Sequence, residues 1–161
     1  MTTQIYSAVD VADELLKLAK REGQGLTPMQ LVKLTYIAKG WALAILNRNL
    51  FSERAEAWKY GPVIPDLYYV TKKYGRSPIP MDKVDDQSEP RVDAEVLAFL
   101  KEVFGKYGNL SGSQLSSLTH KVGSPWHQVY NPDEMHIEIP DALIETHYRR
   151  KLDERESSST A

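Results

Sequence analysis

Four histidines, two carboxylate pairs and a run of hydroxyls between residues 111 and 124 are the groups in this chain whose types and spacing could do chemistry. His120, His127, His136 and His147 include no i, i+4 pair, and the chain has no cysteine to complete a zinc site. His136-Ile137-Glu138 matches the H-x-E half of a zinc deaminase signature, but the other half, P-C-x-x-C, needs cysteines. No metal and no cofactor is therefore expected. Glu53 and Glu56 could share acid and base roles if their surroundings split their pKa values. Arg54 and Lys59 beside them offer a structural ion pair instead. Asp85-Asp86 lies in a polar stretch and reads as solvated charge. Ser111 and Ser113 read as helix caps, and no serine sits in a G-x-S-x-G elbow. Thr119-His120 followed by Ser124-Pro125-Trp126 is more specific. It is either a helix end whose hydroxyl and imidazole satisfy loop backbone, or a ligand or partner site. A small-substrate enzyme using Thr119, His120 and Glu56 would need those groups within about 3 Å hydrogen-bond reach. Gly23-Gln24-Gly25 begins a dinucleotide fingerprint but meets Pro28 where the third glycine belongs, and no P-loop occurs. No catalytic residues are assigned and no enzyme is expected.

Composition narrows the classes further. The chain has 161 residues, 42% hydrophobic and 26% charged, with a net charge of −2. That is an ordinary globular composition, long enough to bury a core without disulfides. The longest apolar run, Trp41 to Leu46, is six residues, far short of the roughly 20 a membrane helix needs. The first residues carry no signal-peptide pattern, so a reducing cytoplasm is the expected location. A near-neutral balance argues against a protein that coats nucleic acid, and no nucleic-acid partner is expected. The balance is uneven, however. Residues 1–75 hold 10 basic and 7 acidic groups, whereas residues 76–161 hold 10 and 15. Such an asymmetry could steer a charged partner; a basic N-terminal half could also contact phosphates in a salt-dependent way.

The elements that must position these groups are helices. Ser7 caps a first helix over residues 7–22, the Asp10 charge suits its N-terminus, and Val11, Leu15 and Leu18 share one face. Thr27-Pro28-Met29-Gln30 is a capping box with proline at the first helical position. The helix it opens runs to about Leu46 and is apolar on most sides, as expected of a bundle's central member. Gly40 within it suggests a close helix approach. Short extended pieces follow near residues 50–58, then a helix over 65–74. Residues 76–92 are polar and proline-bearing and read as a mobile surface connection. Further helices are expected over 93–107, from Ser111 or Ser113 to Thr119, as one turn near 126–130, and from Pro140 or Asp141 to about Leu152. The fold class is all-α: a single-domain bundle of about six to seven helices over residues 1–154, followed by a disordered tail at 155–161. Trp58, Tyr60, Tyr68 and Tyr69 cluster around Gly61-Pro62. Aromatics beside rigid loops serve as interface anchors, and would equally close one end of a bundle.

One combination of blocks is more specific than these signals. Leu26 to Tyr36 reads L-T-P-M-Q-L-V-K-L-T-Y, followed by Gly40-Trp41, by Glu56-Ala57-Trp58-Lys59-Tyr60-Gly61-Pro62-Val63, and then by Thr119-His120 with Pro125-Trp126. Over about residues 5–150 this resembles the Panacea domain, the SocA-like or phage-associated GepA-type antitoxin family. The resemblance implies an all-helical antitoxin that binds a cognate protein toxin encoded by an adjacent gene. One branch of the family instead hands its toxin to a Clp-type protease. Trp58, Tyr60, Tyr68, Tyr69, Thr119, His120 and Trp126 are the residues expected to bind the partner. The family's zinc-binding accessory domain is excluded by the missing cysteines.

Overall fold

The computed structural model describes residues 4–160. Helix α2, Pro28–Trp41, lies at the centre and continues as a π-helical turn over Ala42–Leu46. Its capping box is formed: Thr27 Oγ1 accepts from the Gln30 N–H at 3.2 Å, and Gln30 Oε1 accepts from the Thr27 N–H at 2.8 Å. Every residue from Leu31 to Ala44 is buried. A helix without an exposed face must be surrounded, and α1 (Ala8–Arg21), α4 (Ala94–Tyr107), α5 (Gly112–Thr119) and α7 (Asp141–Thr160) all pack against it. Helices α3 (Pro65–Thr71) and α6 (Pro125–Val129) complete the set. The expected all-α bundle of about six to seven helices is observed as a predominantly helical one, with seven α-helices among the described residues and a small sheet beside them.

The close approach expected at Gly40 belongs to α7. A Cβ on Gly40 would collide with the Tyr148 ring. That ring in turn meets Trp41 edge-on, with centroids 5.1 Å apart. Of the extended pieces expected near residues 50–58, Ala55–Trp58 is strand β1; it pairs antiparallel with β2 at Gly61–Val63 and β3 at Glu138–Ile139, two strands the sequence did not announce, in the order β2-β1-β3. β3 has two residues, too few to show an alternating pattern.

Two expectations are corrected. The connection over 76–92 is pinned rather than loose: Ile79, Val84 and Val92 are buried. Lysines and an arginine of α1 hold its carbonyls, Lys20 Nζ donating to Val84 O at 2.6 Å, Arg21 Nη2 to Asp86 O at 2.7 Å and Lys17 Nζ to Glu89 O at 3.2 Å. Helix α7 runs past Leu152 to Thr160, so helix replaces the tail expected over residues 155–160. The added turns bring the Arg155 guanidinium over the Trp41 ring, 5.4 Å from its centroid, and that contact favours continued helix. Ala161 lies outside the described residues. Among those described, no helix is long and apolar enough to cross a membrane.

Candidate functional site: an aromatic cleft at the β-hairpin

Strand β1 places Glu56 and Trp58 two residues apart, on one side of the pleat. Glu56 is 3% exposed and receives four hydrogen bonds. They come from Trp58 Nε1 at 2.9 Å, Arg54 Nε at 3.0 Å, Arg54 Nη2 at 2.7 Å and His136 Nδ1 at 3.1 Å. Burial pushes its carboxyl up. The bonds from Trp58, Arg54 and His136 together outweigh that and hold it below the ordinary value. Glu56 is therefore a fixed anion that orients the Trp58 indole.

Lys59 and Tyr60 form the two-residue tip between β1 and β2, with Trp58 paired to Gly61. Gly61 has φ +115°, a conformation open to glycine. A side chain there would also press on Lys33 Nζ, at 3.1 Å, and Thr119 Oγ1, at 3.5 Å. The hairpin is clamped from behind. Ser116 Oγ of α5 donates to Tyr60 O at 2.6 Å, and Trp126 Nε1 of α6 donates to Trp58 O at 2.6 Å. Trp126 is itself stacked on Tyr130 at 4.4 Å and meets His120 edge-on at 5.2 Å.

These contacts sort the seven expected partner-binding residues. Trp58, Tyr68 and Tyr69 form a chain of edge-on rings, with centroids 5.0 Å and 5.5 Å apart. Tyr60 and Tyr69 are 62% and 53% exposed. Thr119 and Trp126 are buried, and Thr119 Oγ1 is engaged with Leu115 O at 2.8 Å and Ser116 O at 3.2 Å. His120 Nδ1 lies 3.3 Å from Ser116 Oγ. Thr119 and Trp126 are thus buried behind the hairpin, with the half-buried His120 against Trp126 and Ser116, whereas Tyr60 and Tyr69 face outward. The constellation of Thr119, His120 and Glu56 is not assembled, because each binds the separate partners just named. No group of three or more potential metal ligands occurs among the described residues.

Between the hairpin, the start of α2 and helix α3 lies a cleft of about 410 Å³, within the range of ligand-binding pockets. Met29, Val32, Trp58, Tyr60, Val63 and Tyr68 supply most of its wall, with Lys33, Lys59 and Lys72 among them and no carboxylate. Lys33 is the residue that sequence reasoning missed. It is 2% exposed, its Nζ donates to Pro62 O at 2.7 Å, and burial lowers its pKa from 10.5 to about 7. The available signal was its place between Val32 and Leu34 on a helix apolar on most sides, where even a lysine must go inside.

A family model described as "Antitoxin SocA-like, Panacea domain" matches residues 31–127, from α2 through the hairpin to α6. The chain is 29% identical over 163 residues to a protein named Antitoxin SocA from Caulobacter vibrioides (strain NA1000 / CB15N), covering 91% of this chain and 86% of that one. No solved structure matches significantly. The matched span contains the hairpin, the cleft and the α5–α6 clamp, and on it the chain belongs to the SocA-like antitoxin family defined by the Panacea domain.

Proposed function

We propose that this chain neutralises a cognate protein toxin, encoded by an adjacent gene, through direct stoichiometric binding, and that the aromatic cleft is the contact surface. The observation that carries this reading is the hairpin tip. Tyr60 stands exposed on a backbone clamped through Ser116 and Trp126, at a cleft also lined by the exposed Met29, and the exposed Tyr69 continues the aromatic surface from its edge-on contact with Tyr68. Rigid, exposed aromatics next to a concave apolar wall are what a protein interface uses as anchors, because little ordering entropy is lost on binding. The similar protein's name, Antitoxin SocA, supports the same class. The role needs no catalytic constellation. Trp58, Tyr60, Tyr68 and Tyr69 make the contact, and Thr119, His120 and Trp126 hold the hairpin in place for it.

Co-expression with the neighbouring gene tests the proposal. A toxic neighbour whose host is rescued, with or without its Clp-type protease, supports neutralisation by binding. Rescue that vanishes when the protease is deleted assigns the adaptor mechanism instead. A toxic neighbour that this chain neither binds nor rescues contradicts both.

A further inference from the structure

Among the described residues three lysines are buried, Lys17, Lys33 and Lys39. Two are neutralised from within the chain. Lys17 Nζ lies 2.9 Å from Glu14 and 3.7 Å from Asp13; Lys39 Nζ lies 3.1 Å from Asp141. Lys33 has no such partner: its one hydrogen bond goes to a neutral carbonyl, Pro62 O. An ammonium carries three donors, so two remain without a protein acceptor. The group lines the cleft rather than a sealed core. Lys59 and Lys72, both exposed, stand at the same cleft, and neither has a carboxylate within 4.0 Å.

We infer that the cleft receives an Asp or Glu side chain, flanked by apolar residues, from the protein toxin, and that Lys33 is its charge partner. This deepens the proposed antitoxin role and rests on it. Three features select this occupant. The Lys33 charge has no counter-charge inside the chain. The rim carries two further positive charges and no negative one, which repels a basic segment and attracts an acidic one. The wall of Met29, Val32, Val63, Trp58 and Tyr68 rewards apolar neighbours of the carboxylate and strengthens the pair by excluding water. A Cβ at position 61 would lie 3.1 Å from the Lys33 amine, so the glycine there leaves the amine uncrowded on that side.

The test is calorimetric titration of the purified neighbouring gene product into wild type, Lys33→Met, and the Lys59→Glu/Lys72→Glu double variant. Thermal melts run beside it. Lys33→Met keeps the unbranched side chain to within one atom of its length and removes the charge. Loss of affinity of about 30-fold or more, with melting undiminished, is expected, because the partner's carboxylate is left buried and unpaired. The rim variant cannot disturb a core. It is expected to bind at least about tenfold more weakly and to associate more slowly at low salt. Should Lys33→Met fold poorly, the rim variant alone decides. Wild-type binding with undiminished affinity in the variants overturns the cleft assignment and leaves the antitoxin reading standing. A wild type that binds nothing overturns both.

Discussion

Burial of the Lys33 ammonium without a carboxylate makes the fold's stability depend on pH in a specific window. The folded pKa is about 7 against 10.5 for the free group, so between those values the unfolded chain binds more protons. Stability therefore rises with pH from 7 to about 10, and the full cost, roughly 5 kcal/mol, is present below pH 7. Lys33→Met removes this dependence. The stability difference between variant and wild type should shrink by several kcal/mol from pH 7 to pH 10 in chemical denaturation. A constant difference would mean the amine is solvated. The aromatics divide in the same way. Trp126→Ala should cost about 3–5 kcal/mol, as expected for emptying a core aromatic site, and should loosen the hairpin that its indole N–H holds. Tyr60→Ala should leave stability within about 0.5 kcal/mol while weakening partner binding. Glu56 shows what was and was not legible at this scale. Its ion pair with Arg54 was readable from their spacing; the bond from His136, 80 residues away, was not.

Among the elements, helix starts were the most legible part because their determinants are local. Ser7 with Asp10, Thr27 with Gln30 and Ser111 with Gln114 each close a capping box within four residues. The connection over 76–92 reads as mobile in the sequence because what fixes it is tertiary. Its composition is polar, yet Lys17, Lys20 and Arg21 reach it from more than 60 positions away. The buried carboxylate of Glu14 is central to that strap, accepting from Lys17 Nζ and from the Arg91 N–H, both at 2.9 Å. Glu14→Ala should cost about 3 kcal/mol. It should also raise amide hydrogen exchange over 79–92, and exchange unchanged there would show that the strap is held elsewhere. Gly40→Ala tests the seat of α7. The added methyl meets the Tyr148 ring, so a loss of about 1–3 kcal/mol in urea unfolding is expected, with α7 amides exchanging faster.

For the whole molecule, the charge asymmetry visible in the sequence acquires a location. The basic half carries the cleft, with Lys33, Lys59 and Lys72 on its wall and Lys73 beside them on the chain. Association with an acidic partner should be fastest at low ionic strength and slow as salt screens the field. The resemblance blocks span the residues of the hairpin and of its clamp, although neither feature is readable from the blocks themselves. They did not reveal that α2 forms one wall of the cleft, because that juxtaposition exists once the chain is folded. The proposed toxin contact lies on this face. Titration of the adjacent gene product into wild type and into the Tyr60→Ala/Tyr69→Ala variant tests it most directly, because both tyrosines are exposed and neither supports the core. Saturable one-to-one binding by wild type, weakened at least about tenfold in a variant of unchanged melting temperature, is the predicted result. No binding by wild type, or equal binding by both proteins, would contradict it.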